Sequence, residues 1–214
     1  MKVSEAEAIT GGLSKPSKMP GFSYNLPAKR CLTGAKLVKV PGSTCAGCYA
    51  LKGRYRFKNV RDAMDKRLEA ITHPQWVQAM AVQINSRMKH GHGWFRWHDS
   101  GDLQSEAHLL KIFEVCRLTS GVKHWLPTRE AQFLKLLDPA EVPPNLTIRF
   151  SSHMIGQRPV GWFPWTSTVG EDGANRTSHV QDSRLCPASK QDNKCQSCRA
   201  CWDRKVSNVE YVKH

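Results

Sequence analysis

The residues with the most chemistry in them are cysteines. The chain holds eight, and four of them, Cys186, Cys195, Cys198 and Cys201, fall in the tail stretch C-P-A-S-K-Q-D-N-K-C-Q-S-C-R-A-C-W. Cys45 and Cys48 form a further C-x-x-C. Thiolates separated by two residues can turn their sulfurs toward one ion or cluster, and a C-x-x-C-x-x-C run has the spacing with which ferredoxin-type loops wrap an iron-sulfur cube. Zinc takes the same thiolates, usually as two separated C-x-x-C pairs. The tail spacing therefore favours a [4Fe-4S] cluster, with zinc as the alternative metal.

Cys116 lies on an apolar helical stripe and reads as a core residue. Seven thiols remain, and they divide in two ways. A three-plus-four division puts Cys31, Cys45 and Cys48 on an open cluster and Cys186, Cys195, Cys198 and Cys201 on a closed one. A single site would instead join Cys45 and Cys48 to two tail cysteines. If Lys36–Val40 (K-L-V-K-V) is a strand, its rise of about 3.3 Å per residue carries Cys31 away from Cys45, and only a loop that doubles back restores the triad.

A second set of polar residues follows three predicted strands. Trp94–Trp97 runs into His98, Asp99, Ser100 and Asp102; Val122–Leu126 runs into Thr128, Arg129 and Glu130; Leu146–Phe150 runs into Ser151, Ser152 and His153. Loops at the C-terminal ends of parallel strands build the sites of βα architectures. His98, Asp99, Asp102 and Arg129 are accordingly the candidate catalytic residues, with Ser151 and His153 as substrate contacts. Asp102 or Ser105 also reads as the cap of the helix that follows.

Charge points to the substrate. The net charge is +14, from 32 Lys and Arg against 18 Asp and Glu, a field that favours a polyanion. From Lys52 to Arg67 basic residues interleave with Tyr55 and Phe57, which suits phosphate contact with base stacking. Arg54 and Arg56 are the candidate contacts to a nucleotide or nucleic acid. A solvated helix face accounts for the same run through Asp62, Asp65 and Glu69. A basic surface that grips a host protein is a further reading.

These residues need elements to hold them. Trp76, Met80, Ile84 and Met88 predict a buried helix stripe after Thr72-His73-Pro74, ended by Gly91 and Gly93, and Ser105–Leu118 predicts an amphipathic helix. A short helix is predicted at Ala131–Leu137. Trp162, Phe163 and Trp165 read as core or lid packing. Strand, polar loop and helix alternate as βα units do, so the predicted fold is α/β: a partial (βα) barrel-like parallel sheet with a C-terminal cysteine-rich metal-binding segment. The expected division is an extended segment over 1–35, an α/β core over 36–183, with polar loop over Gly170–Ser183, and a cysteine-rich cap over 184–214. Met1–Thr10 carries Glu5 and Glu7 rather than an apolar leader, and no run is long enough to span a bilayer. The expected setting is a reducing cytoplasm, where clustered cysteines serve as metal ligands.

Several of these motifs occur together in one family. Met19-Pro20-Gly21, Cys45-Ala46-Gly47-Cys48-Tyr49-Ala50, Ser100-Gly101-Asp102, Thr128-Arg129 and the tail from Cys195 to Trp202 resemble, in order and spacing, the phage gene-product-88 family. The resemblance spans about residues 19 to 202 and implies a protein working in the host cytoplasm. The C-x-x-C-Y-A segment and βα layout are also distantly similar to radical S-adenosylmethionine enzymes, partial-barrel proteins in which three cysteines hold a four-iron cluster and leave one iron open. That similarity implies S-adenosylmethionine as a second cofactor. Those enzymes carry C-x-x-x-C-x-x-C, whereas here Pro41 stands four residues before Cys45.

Overall fold

The computed structural model describes residues 1–88, 93–171 and 182–213. Its centre is one seven-stranded sheet, all parallel, in the order β1-β2-β3-β4-β5-β7-β6. The strands are β1 Phe22–Tyr24, β2 Gly93–Trp97, β3 Val122–Thr128, β4 Leu146–Ser151, β5 Thr166–Gly170, β6 Ser183–Leu185 and β7 Asn208–Val212. The helices are α1 Val3–Thr10, α2 Leu32–Leu37, α3 Lys58–Ala70, α4 Trp76–Arg87 and α5 Glu106–Leu118.

Two-residue alternation decides what each face of the sheet carries. On one face Tyr24, Phe95, Trp97, Leu126, Ile148 and Phe150 join the main core with Trp76, Met80 and Ile84 of α4 and Leu109, Ile112 and Phe113 of α5. The predicted stripe of α4 is buried from Trp76 through Met88. Ser105 caps α5 by accepting the His108 N–H at 3.0 Å, which settles the cap on Ser105. On the other face Trp125 and Val209 pack with Cys201, Trp202 and Val206 from the tail. The sheet is thus covered by helices on one side and by the cysteine tail on the other.

Several sequence expectations change. Residues 1–35 are not all extended: α1 is closed by Glu5, which accepts the Lys2 N–H at 2.8 Å, and by Gly11 in the left-handed region at φ 80°. β1 then forms an edge of the sheet, beside β2. Lys36–Val40 is no strand, because α2 covers Leu32–Leu37 and the chain turns after it. Ala131–Leu137 forms only a 3-10 turn at Ala131–Phe133. Asn208–Val212, within the stretch expected as the cysteine-rich cap, supplies β7, inserted between β5 and β6. Phe163 is buried as expected, while Trp162, 44% exposed, lies against Phe150 at 4.9 Å. Gly91 and most of the Gly170–Ser183 loop lie outside the described residues. Among the described residues no helix is long and apolar enough to cross a membrane.

The core contains three buried histidines, which set an acid limit. Burial holds His108 and His124 down to about 3 and keeps His98 well below its ordinary 6.5. All three are neutral in the fold and take a proton at about 6.5 when unfolded. Their contribution is full above 6.5 and is lost as pH falls from 6.5 toward 3. Asp102, pushed up to about 6 by burial, runs the other way between 3.8 and about 6, one group against three. The urea midpoint of metal-free protein should therefore be lower at pH 5 than at pH 7; an unchanged or higher midpoint at pH 5 would contradict the buried neutral histidines.

Candidate metal centres and the strand-end site

The loop after α2 brings Cys31 back to Cys45. Cys31 is the residue that starts α2, and α2 is moored from far along the chain: Glu130, fully buried beyond β3, accepts from Thr33 N at 2.9 Å and from Thr33 Oγ1 at 2.7 Å. Gly34 faces both thiols. A Cβ placed on it would stand 3.6 Å from the sulfurs of Cys31 and Cys45, so the two sulfurs lie within about twice that distance of each other. Cys48 lies in the same tight turn as Cys45, its N–H donating to Cys45 O at 3.0 Å, and is near enough to Cys31 to help raise its thiol. The doubled-back loop that the triad required is therefore α2 with its following turn.

Burial pushes the Cys31 thiol up, and Asp102, Cys48, Cys45 and Glu130 add to the push. Burial also raises Cys45, against the pull of the Arg129 guanidinium. Buried thiols held neutral beside carboxylates are ones whose thiolate form a bound cation would favour.

This triad stands over the C-terminal ends of the strands. Ser43–Thr44 bridges to β4's end: Thr44 N donates to His153 O at 2.9 Å, and Arg129 Nε donates to Thr44 Oγ1 at 3.0 Å. Tyr49, next to Cys48, donates its hydroxyl to Asp99 O, and Tyr55 donates to Asp99 Oδ2 at 3.1 Å. Asp102 accepts from Thr128 Oγ1 at 2.6 Å, Arg129 N at 2.9 Å and Leu103 N at 2.8 Å, bonds that oppose its upward shift. His153 Nε2 pairs with Arg129 O at 3.1 Å. Asp99, Asp102, Arg129 and His153 thus share one mouth with Cys31, Cys45 and Cys48.

Two predicted site residues do not join them. The His98 ring packs against His108 of α5, 5.4 Å between centroids, on the helix side. Ser151 pairs its hydroxyl with Ser167 Oγ at 2.9 Å inside the sheet. Arg54 and Arg56 are exposed on a 3-10 turn that packs beside Tyr49–Leu51 at the rim.

The four tail cysteines gather separately, on the tail-covered face. Cys186 feels the charges of Cys195 and Cys198, and Cys201 those of Cys186 and Cys195. Burial raises Cys186 and Cys195 and pushes Cys201 up to about 12, with Tyr211 OH 3.1 Å from its sulfur. The backbone of the tail is held at both ends: Cys186 N donates to Glu210 O at 2.8 Å and Cys195 N to Lys18 O at 2.9 Å. Cys31, Cys45 and Cys48 thus neighbour one another at the mouth, and Cys186, Cys195, Cys198 and Cys201 neighbour one another under the tail.

Arg96 of β2 lies between the two groups. Its guanidinium stacks on Trp125 at 4.4 Å. Burial works against its charge, but Tyr49 and Asp99 on the mouth side and Tyr211 and Cys201 on the tail side outweigh it and raise Arg96. Arg96, Gly34 and Glu130 are neighbours of the cysteines that the cysteine spacing does not mark. Alternation in W-F-R-W was the available signal for Arg96, which falls on the face opposite Phe95 and Trp97. Nothing local marks Gly34 or Glu130.

Among the described residues, no group of three or more Cys, His, Asp or Glu is drawn close enough to grip a single metal ion. Wider groups of thiols suit a cube, whose irons hold their thiolates farther apart than one ion does. Cys31 and Cys45, whose sulfurs both lie about Gly34, are thiol donors of the kind such a cluster takes. Asp99 Oδ1 and Arg96 Nε are buried without a protein partner at the same mouth. A cavity of about 390 Å³ at the N-terminal ends of β6 and β7 is lined by none of the cysteines.

No curated protein and no solved structure matches the chain. The family model for gene product 88 matches residues 2–204, nearly the whole length, and the strand-end motifs and both cysteine groups lie inside the match. The chain belongs to the gene product 88 family.

Proposed function

We propose that this is an iron-sulfur protein with two cluster sites, acting on an anionic substrate at the mouth of the sheet. The observation that carries the reading is the separation of seven thiols into Cys31, Cys45 and Cys48 at the mouth and Cys186, Cys195, Cys198 and Cys201 behind the sheet. Four thiolates close a [4Fe-4S] cluster, whereas three leave one iron with an exchangeable position. The second set would be a structural or electron-transferring centre. Zinc, the alternative metal, is the weaker fit because four-thiolate zinc sites draw their sulfurs tightly round one ion.

The chain's own residues shape the open site. Arg129 lies beside Cys45 and offers a fixed positive charge to an anionic substrate or to the cluster's thiolates. Asp99 Oδ1 and Arg96 Nε provide an unused acceptor and donor. Asp102, with its carboxyl pushed up to about 6, is the group at the mouth suited to exchange a proton near neutral pH. Strands β1 to β5 run parallel in chain order, and on this proposal the open iron would suit S-adenosylmethionine, as in a radical-S-adenosylmethionine-like enzyme.

Anaerobic purification with iron and acid-labile sulfide analysis tests the proposal. About eight iron and eight sulfide per chain are expected, with brown colour. A colourless protein carrying stoichiometric zinc would overturn it. For the cofactor, S-adenosylmethionine should change the electron paramagnetic resonance signal of the reduced mouth cluster; no change would leave a redox protein.

A second reading has its own support. The rim of the mouth is strongly basic and carries exposed rings, as a nucleic-acid-binding module with a structural metal would. Under that reading Asp99→Ala leaves binding unchanged, while Arg54→Ala with Arg56→Ala weakens it.

A further inference from the structure

The positive charge of this chain is not spread evenly. Between Glu7 and Asp62 the sequence holds eleven Lys and Arg and no Asp or Glu. One quarter of the chain therefore supplies eleven of its net fourteen positive charges. In the fold six of these eleven line the rim of the mouth, while Lys15 packs on Phe22 and Lys18 lies beside Cys195 of the tail. The 3-10 turns Ala28–Arg30, Tyr49–Leu51 and Gly53–Arg56 pack in succession, and Lys29, Arg30, Lys52, Arg54, Arg56 and Lys58 are all exposed along them. Of these six, the ion pairs among the described residues engage only Lys58, with Asp62 at 2.6 Å. A row of unpaired bases over a low-dielectric wall is an anion track.

The rim also holds open aromatic faces. Tyr49 and Phe57 are each 58% exposed. The Tyr49 ring is fixed although it is exposed, because its hydroxyl reaches in to Asp99 O and its edge meets Tyr55 with centroids 5.8 Å apart. A ring held in place before a ligand arrives loses little freedom on binding. Exposed rings interleaved with positive charges match a chain of unpaired bases.

We infer that the rim from Lys29 to Lys58 binds single-stranded nucleic acid, with bases stacked on Phe57 and Tyr49 and phosphates on Arg54, Arg56 and their neighbours, leading the strand to the cysteine mouth. A duplex is the poorer match: its base faces are hidden, and reading its major groove takes a helix or ribbon. This rim is built of turns of three or four residues. An acidic protein would meet the charges but leave both rings unused. The inference rests on the mouth being a substrate site, and it does not depend on which metal the thiols hold.

The test is fluorescence anisotropy of the purified protein with labelled single strands of about 12–16 nucleotides, DNA and RNA, the corresponding duplex, and polyglutamate as competitor. The expected result is preference for a single strand and affinity falling steeply with salt. Phe57→Ala should weaken binding about fivefold or more. Arg54→Ala with Arg56→Ala should flatten the slope of log affinity against log salt by about 1.4. All these residues are exposed, so circular dichroism and iron content of the variants should match the parent. Equal binding to the duplex, no effect of Phe57→Ala, displacement by polyglutamate at equal charge, or no binding would each overturn the inference. Single-strand binding by anaerobically purified protein that carries no iron would instead overturn the iron-sulfur reading alone.

Discussion

Arg149→Ala should release the cysteine tail from the sheet and cost about 4 kcal/mol or more of stability. Arg149 is fully buried on β4, and all five of its N–H donors go to backbone carbonyls. Nε donates to Cys201 O at 3.1 Å; Nη1 to Val206 O at 3.1 Å and Thr166 O at 3.2 Å; Nη2 to Ala200 O at 2.7 Å and Asp203 O at 2.9 Å. Four of those carbonyls belong to the tail. Each orphaned carbonyl costs about 1–3 kcal/mol when it stays buried, and rehydration of the loosened tail recovers part of that. A domain of this size holds only about 5–15 kcal/mol in total. Lysine, a point charge with three donors, should recover part of the loss. Denaturant unfolding measures the effect, and the reactivity of Cys201 toward a thiol reagent reports the release. An Arg149→Ala protein with unchanged midpoint and a protected Cys201 would mean that the other ties suffice, such as Trp202 Nε1 on Phe95 O and Thr147 Oγ1 on Trp202 O.

Gly34→Ala should separate stability from metal loading. Gly34 lies within α2 with no left-handed φ, so alanine favours the helix by about 1 kcal/mol on propensity. The new methyl would meet Cys31 Cβ at 3.0 Å and stand 3.6 Å from the sulfurs of Cys31 and Cys45. Cys31 must shift by a few tenths of an ångström, and the methyl occupies the space between its sulfur and that of Cys45. The metal-free variant should melt at or above the parent temperature, while reconstituted iron falls by about half, the share of the mouth site. Full iron in Gly34→Ala would remove Cys31 from the ligand set.

The legible parts of the sequence were those with a sustained period. Strands β2, β3 and β4 and helices α4 and α5 announce themselves by alternation or a four-residue stripe, and their polar C-terminal ends place Asp99, Asp102, Arg129 and His153. β1 is three residues long among Gly, Pro and Ser, too short to carry a period. In K-L-V-K-V the alternation was real but local; Glu130, 97 residues distant from Thr33, holds this stretch as a helix and turn instead. Tertiary contact outweighs propensity in so short a segment.

The tail shows a different limit. L-T-I-R-F tells which residues of β4 share a face, but not what covers that face. Arg149 falls on the face opposite Ile148 and Phe150, and the segment that covers that face is held by Arg149 itself. His98 reads as a site residue because it follows a strand, whereas its backbone at φ 53° directs the ring to α5. Cysteine spacing suggested metal sites; only the fold separates three thiols from four.

Anomalous diffraction at the iron edge, from crystals of anaerobically purified protein, tests that separation most directly. Two iron peaks are predicted, one among Cys31, Cys45 and Cys48 and one among Cys186, Cys195, Cys198 and Cys201. A single peak joining Cys45 and Cys48 to the tail, or peaks at the zinc edge instead, would contradict it.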